Sequence, residues 1–132
     1  MNSELILAAL KYTPEEAYNL AKEKGERMPE VEAVIATDPE WACWYAIDVI
    51  KDRWPEAETV ISTTDPYWAY RYAKDVIKGR WPEAETVIVT NLLWAYRYAR
   101  DVIKGRWPEV EAVIATDPWY KEQYEKEFNV KL

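Results

Sequence analysis

Apolar residues recur along the chain in short runs at helical spacing, and most of these runs follow a proline. After Pro82, the residues Ala84, Val87 and Ile88 lie three and four positions apart, so they share one face of a helix. Pro82 suits the first position of a helix, because the N–H that proline lacks has no partner there in any helix. This pattern predicts a short helix that begins at Pro82.

A second apolar face follows each such run. Asp65 is a preferred helix cap and Pro66 suits the first helical position, so a second helix is predicted from Pro66 to about Lys78. Its apolar residues share one broad face: Trp68, Ala69, Tyr72, Ala73, Val76 and Ile77. Gly79 and Gly105 are expected to end helices of this kind in the left-handed conformation, which has no steric cost for glycine.

The two predicted helices form one repeating unit. The motif Trp-Pro-Glu-Ala-Glu-Thr-Val-Ile begins at Trp54, recurs at Trp81 and nearly unchanged at Trp107, and appears with Met28 in place of tryptophan. A weaker copy opens the chain, with an acidic and apolar segment at 4–7. The units are therefore 1–27, 28–53, 54–80, 81–106 and 107–132. The one-residue insertion in Ser62-Thr63-Thr64 is expected to mark a loop.

The repeat determines the predicted fold. Helices of two turns are not stable alone in water, so each pair must bury its apolar face against its neighbours. The sequence therefore predicts a single all-α domain, an α-solenoid of about five helical hairpins or about ten short helices. The first and last units carry charged segments and are expected to act as caps. Six tryptophans are expected in the core: Trp41, Trp54, Trp68, Trp81, Trp94 and Trp107.

Composition narrows the functional classes. Of the 132 residues 49% are apolar, and none is histidine, which excludes nucleophilic catalysis by a Ser–His or Cys–His pair. The three glycines are isolated, so the chain has no glycine-rich phosphate loop. Cys43 is the only cysteine, and no usual zinc ligand set is present. We expect no enzyme, no catalytic residue, no metal site and no cofactor.

Charge and hydropathy bear on partners and location. The 24 acidic and 17 basic residues give a net charge of −7, which disfavours nucleic-acid binding by a broad basic surface and favours a protein partner, a basic one included. The longest apolar run, 5–10, is far shorter than the ~20 residues of a membrane span. The N-terminus lacks the basic flank of a signal peptide. We expect a cytoplasmic protein.

Differences between equivalent positions predict a partner-binding site. Trp44 stands where both of the next two units have an arginine, and Ile47 stands where they have a lysine and an arginine. Cys43 stands where both have a tyrosine. Leu92 and Leu93 replace the Pro-Tyr pair that begins the preceding second helix. Apolar residues in place of charged ones are typical of an interface, so these five residues are the predicted partner-binding site. The alternative is that the N-terminal unit covers Trp44 and Ile47.

The charged residues that the next two units have at the positions of Trp44 and Ile47 predict a different candidate site. Basic residues and tyrosines alternate on the second helices of the third and fourth units, where a small anion or an acidic segment could bind by charge and stacking. The alternative is an ordinary solvated face. The candidate anion-binding residues are Arg71, Lys74, Arg97, Arg100, Tyr70 and Tyr96.

The unit at 54–80 resembles short helical repeats of tailed-phage and mobile-element proteins of unknown function, and the resemblance extends over about 28–120. It implies no catalytic residues. It suggests an inhibitor, encoded by a phage or mobile element, that binds and occludes a host defence protein in the host cytoplasm, its acidic ends facing a basic nucleic-acid groove. Two alternatives stay open: a repeat protein that binds a small anion or nucleotide, and a structural homo-oligomer, such as a homodimer, joined through Trp44 and Ile47.

Overall fold

The computed structural model describes residues 11–132, and helices are the only regular secondary structure in that range. The all-α prediction is thus confirmed for this part of the chain, which holds nine α-helices. They are α1 Pro14–Lys24, α2 Pro29–Ile35, α3 Pro39–Tyr45, α4 Pro55–Thr64, α5 Pro66–Tyr72, α6 Pro82–Ile88, α7 Leu92–Tyr98, α8 Pro108–Ile114 and α9 Pro118–Phe128. The predicted opening of the first unit, at 4–7, lies outside the described residues.

Three of the helices continue into a wider turn. The segments Ala46–Ile50, Ala73–Ile77 and Ala99–Ile103 extend α3, α5 and α7, and the lysine N–H after each segment donates to a carbonyl five residues back instead of four. We call these segments the wide turns. Across residues 11–132 no helix is both long enough and apolar enough to cross a lipid bilayer.

The predicted helix starts are confirmed. Asp65 caps α5, where its carboxylate accepts a hydrogen bond from the Tyr67 N–H at 2.8 Å, and Pro66 occupies the first helical position. Asp38, Asn91 and Asp117 cap α3, α7 and α9 in the same way. These side chains satisfy N–H groups that would otherwise lack a partner in the first turn.

The insertion at 62–64 is not a loop, and that prediction is wrong. It lengthens α4 to ten residues, where α2, α6 and α8 have seven. The hydroxyls of Ser62 and Thr63 donate to the carbonyl of Thr59, at 3.2 and 2.7 Å. Because these hydroxyls bond back to the preceding turn, they stay compatible with the helix and the extra residue continues it.

The left-handed residues at the ends of α5 and α7 are lysines and not the predicted glycines. Lys78 has φ 61° and Lys104 has φ 59°, and Lys51 at the end of α3 has φ 60°. The N–H of Lys78 donates to the carbonyl of Ala73, five residues back, at 2.8 Å. Since the wide turn closes on the lysine, the chain reverses one residue before the glycine.

A hydrogen-bonded group at each unit joint is the most regular feature of the core. The Tyr72 hydroxyl accepts from the backbone N–H of Trp54 at 2.7 Å and donates to the Glu58 carboxylate at 2.6 Å. Arg53 donates two hydrogen bonds to the same carboxylate, at 2.7 and 2.9 Å. We call this group a joint network. It recurs as Arg27, Met28, Glu32 and Tyr45; as Arg80, Trp81, Glu85 and Tyr98; and as Arg106, Trp107, Glu111 and Tyr124.

The joint tryptophans also connect consecutive units through their rings. The ring of Trp54 packs on Tyr45 of the preceding unit, with centroids 4.9 Å apart, and Trp81 packs on Tyr72 at 4.8 Å. At the C-terminal end Phe128 packs on Tyr124 in place of a further tryptophan, at 4.6 Å. Each joint tryptophan therefore bonds to the tyrosine of its own unit and packs on that of the unit before.

The core predicted from the six tryptophans is confirmed for the joint residues only. Trp54, Trp81 and Trp107 are fully buried, whereas the tryptophans one turn into the second helices are partly exposed at the edge of the core. The second helices of the units contact one another in unit order, from α1 through α3, α5 and α7 to α9. This series positions the three wide turns next to one another.

We predict that Tyr72→Phe lowers the free energy of unfolding by about 2–3 kcal/mol, because it leaves the buried Trp54 N–H unpaired and removes a donor from Glu58. Urea unfolding followed by tryptophan fluorescence measures the change. Tyr67→Phe is the matched control: the Tyr67 hydroxyl is partly exposed and accepts only from Arg71, so we expect a loss below ~1 kcal/mol. Equal losses in the two variants would contradict the role given to the joint network.

The joint network also predicts a pH dependence. The two Arg53 hydrogen bonds hold the pKa of Glu58 below its ordinary value of 4.5, against the opposing effect of burial and with the help of the Tyr72 hydroxyl. A depressed folded-state pKa gives a stabilisation that is full above the unfolded-state value and is lost as the pH falls through the folded-state value. The melting temperature should therefore drop below about pH 4.5. Glu58→Gln should reduce this drop, and an unchanged pH profile would contradict the assignment.

Candidate binding groove

A groove runs along the wide turns of α3, α5 and α7, which contact each other in sequence. It consists of two cavities of about 440 and 540 Å³ that share Asp75 and Lys78. The smaller cavity is also lined by Ala46, Ile47, Lys51, Asp52 and Val76, and the larger by Lys74, Gly79, Asp101, Val102 and Lys104. We call the two together the inter-unit groove.

The two cavities are copies of one another with two differences. Ile47 occupies in the smaller cavity the position that Lys74 occupies in the larger one, and Asp52 corresponds to Gly79. The partner-binding prediction singled out Ile47 because it departs from the repeat, and the structure places that departure inside the groove. The smaller cavity therefore has an isoleucine where the larger one has a lysine, and a carboxylate where the larger one has a glycine.

Lysines give the groove its charge. Lys51, Lys74, Lys78 and Lys104 are exposed, and in residues 11–132 no carboxylate lies within 4.0 Å of their ammonium groups. The acids of the larger cavity are already paired, since Asp75 accepts from Arg71 and Asp101 from Arg100, both at 2.7 Å. The groove thus carries four lysines without a carboxylate partner, with Asp52 as the one lining acid that no arginine or lysine pairs in residues 11–132.

The sequence analysis did not identify Lys51, Lys78 and Lys104 as site residues. Placed after Val-Ile in three units, they resemble the ordinary last residues of a helix, where lysine also interacts favourably with the helix dipole. The available signal was their identity in all three units, whereas the next position changes from Asp52 to glycine.

Cys43 cannot contact a partner, and its assignment to the binding site is wrong. Its side chain is fully buried. At the equivalent positions the hydroxyls of Tyr18 and Tyr70 bond to Asp48 and Asp101 of the following unit, across the unit boundary. A thiol at this position is too short for that contact, and Asp75 instead accepts from Arg71 of its own helix.

The unit that follows Trp44 partly covers it. Its ring lies 6.0 Å from the Trp68 ring, edge to face, and the Arg71 guanidinium lies 5.0 Å from its centroid. Trp44 therefore packs against the arginine that bonds to Asp75. The alternative prediction, that the N-terminal unit covers Trp44 and Ile47, depends in part on residues 1–10, which lie outside the described residues.

Leu92 and Leu93 lie apart from the groove. They form the first turn of α7, where both are half-buried and Leu92 packs against the core. Neither lines the two cavities. The structure thus does not bring these leucines together with Ile47.

The candidate anion-binding residues do not form one site. Tyr70 and Tyr96 are buried in the core, Arg97 lies over the ring of Trp94, and Arg71 and Arg100 are paired with acids. The Arg100 hydrogen bonds hold the pKa of Asp101 below its ordinary value, against the effect of burial. Of the six candidates only Lys74 lines the inter-unit groove.

Residues 11–132 contain no group of three His, Cys, Asp or Glu side chains arranged to hold a metal ion. Comparison of the chain with models of known protein families, with curated proteins and with solved structures gave no match. The resemblance of the repeat motif to phage and mobile-element repeats therefore stays a prediction.

We predict that Cys43 does not react with a water-soluble aromatic disulfide at pH 8 in the native protein. Burial raises the pKa of its thiol to about 12, so the reactive thiolate is scarce and shielded from the reagent. Absorbance of the released thiolate measures the reaction, and the protein unfolded in urea is the control that should react fully. Rapid native reaction would show that Cys43 is accessible after all.

Proposed function

We propose that the chain is a non-enzymatic protein-binding module, an α-solenoid that holds a segment of its partner in the inter-unit groove. The observation that carries this proposal is the position of Ile47, an apolar departure from the repeat that lies inside the groove. Interfaces combine apolar anchors with a polar surround, and Ile47 beside exposed lysines has that composition.

The repeated core supports the solenoid part of the proposal. Each joint tryptophan bonds within its own unit and packs on the preceding one, and the second helices contact each other in unit order. Nearest-neighbour contacts of this kind are characteristic of solenoid proteins, which use extended grooves for binding.

The shape of the groove supports a protein segment over a small molecule. Small-ligand sites bury most of the ligand and converge a few polar groups on it. Here the cavities extend across three units, from Lys51 through Lys78 to Lys104. The arginines and tyrosines of the candidate anion site do not line them, and two of the arginines are paired with acids. An extended segment can contact all three units at once.

In its full form the proposal describes an inhibitor, encoded by a phage or mobile element, that occludes a host defence protein in the cytoplasm. That part rests on the resemblance of the repeat motif alone. The groove supports only the binding step, in which a surface of the partner is covered by the module.

Exposed residues of the last unit favour homo-oligomerisation as a second candidate. Val113 is 46% and Trp119 is 57% exposed. The equivalent of Trp119 two units earlier, Tyr67, packs on Trp94 of the next unit at 4.8 Å. Trp119 is exposed instead, so its ring can contact a second copy of the chain.

A photo-reactive residue tests the proposed function directly. It is placed at position 47 and, as a control, at the exposed position 63 outside the groove, and is activated in cells of the organism that makes the protein. We expect a discrete adduct with another protein from position 47 and none from position 63. No adduct at 47, or the same adducts from both positions, would contradict the proposal.

Two further measurements follow from the photo-reaction experiment. Ile47→Lys, which introduces the residue type of the next unit, should weaken binding of the captured protein by about tenfold or more, since an apolar contact of ~1.5–3 kcal/mol is lost. Its stability should change little, because lysine occupies the same position in the following repeat. A photo-reactive residue at position 119 that captures a second copy of the chain would favour the homo-oligomer instead.

A further inference from the structure

We infer that the occupant of the inter-unit groove is an extended acidic protein segment, with an acidic side chain at every third residue and an apolar side chain at the Ile47 end. This inference rests on the proposed function and specifies the chemistry of the partner. It replaces the expectation of a basic partner, which followed from the net charge of −7 and not from the charge of the groove.

Charge complementarity carries the first step. The lysines of the groove have no carboxylate partner in residues 11–132, and the two acids of the larger cavity are neutralised by arginines. An acidic segment would provide the missing partners of Lys74, Lys78 and Lys104. At the other end Ile47 lines the cavity in place of a lysine, which gives the bound segment a direction.

Geometry gives the spacing of the acids. Packed helices lie roughly 8–10 Å apart, and from this spacing we expect equivalent lysines of contacting units to be about as far apart. A polyproline II segment has three residues per turn and rises ~3.1 Å per residue, so every third side chain returns to the same face after ~9 Å. Acids at every third position of such a segment therefore match the repeat of Lys51, Lys78 and Lys104.

The backbone at these lysines supports a role for their side chains. Each has φ near 60°, a conformation that is sterically unfavourable for residues with a Cβ and easy for glycine. Glycine is present at the very next position in two units, Gly79 and Gly105, where φ is not left-handed. Lysine is thus kept at three positions where glycine would fit the backbone better.

The length of the groove favours a protein segment over a nucleic acid. The units 54–80 and 81–106 are near neutral, with formal charges of 0 and +1, whereas the flanking units 28–53 and 107–132 carry −4 and −3. A short acidic segment enters the flanking unit 28–53 only at the lining residues of the smaller cavity, Ile47 and Lys51 among them. A longer phosphate backbone would extend over the acidic flanks, where like charges repel it.

Synthetic peptides test the inference with the full chain. The probe carries a leucine followed by three glutamates at every third position, separated by proline and alanine, and a control peptide of identical composition has the glutamates consecutive. Fluorescence anisotropy should show tighter binding of the spaced peptide, weakened by added salt. The variant Lys78→Gly with Lys104→Gly should weaken it roughly tenfold, without lowering the melting temperature, whereas Lys131→Gly outside the groove should not.

Each other outcome overturns the inference. Absence of binding, equal binding of the two peptides, or binding that the groove variant does not weaken would reject the acidic segment. Preferential binding of a single-stranded oligonucleotide would assign the groove to nucleic acid. A groove variant that melts lower without loss of peptide binding would show that the lysines serve only the helix ends. The adduct at position 47 is measured independently of the peptides, so failure of this inference can be distinguished from failure of the proposed function.

Discussion

A backbone N–H at the start of each first helix has to be satisfied without water, and the unit is organised around that requirement. Trp54, Trp81 and Trp107 occupy the helix cap, where aspartate or asparagine would normally stand, and their side chains cannot cap. Their own N–H groups are buried beside the rings and depend on a tyrosine hydroxyl from the second helix of the unit. A buried N–H without a partner is costly, so this bond fixes the two helices of each unit relative to one another.

The position of the inter-unit groove is a consequence of this constraint. Because the tyrosine that bonds to one tryptophan also packs on the ring of the next, the position of each second helix is tied to that of its neighbour. The wide turns at the ends of these helices are then placed in series, and their lysines are repeated along the groove. A change at one lining position, such as Ile47, alters the chemistry of the groove without disturbing the scaffold that spaces it.

The sequence predicted helix boundaries correctly where a residue acts within its own helical turn. Pro82 and Asp65 mark helix starts whatever surrounds them, and the structure has both helices. Prediction failed where a longer-range contact determines the conformation or the burial of a residue. Lys78 takes the left-handed position because the wide turn closes on it. Cys43 is fully buried, which its difference from the tyrosines of the other units does not reveal. The groove lysines were not predicted because a residue repeated in three units fits a scaffold as well as a site, and only the cavity between units shows what they line.

Hydrogen exchange of the joint tryptophan amides tests the central claim most directly. The N–H groups of Trp54, Trp81 and Trp107 belong to no helical ladder, so the tyrosine hydroxyls alone provide their hydrogen bonds. The account predicts that these three amides exchange only through global unfolding, with protection equal to that of the buried helix residues. Exchange as fast as that of exposed loop amides would show that the tyrosine hydroxyls do not hold the units together.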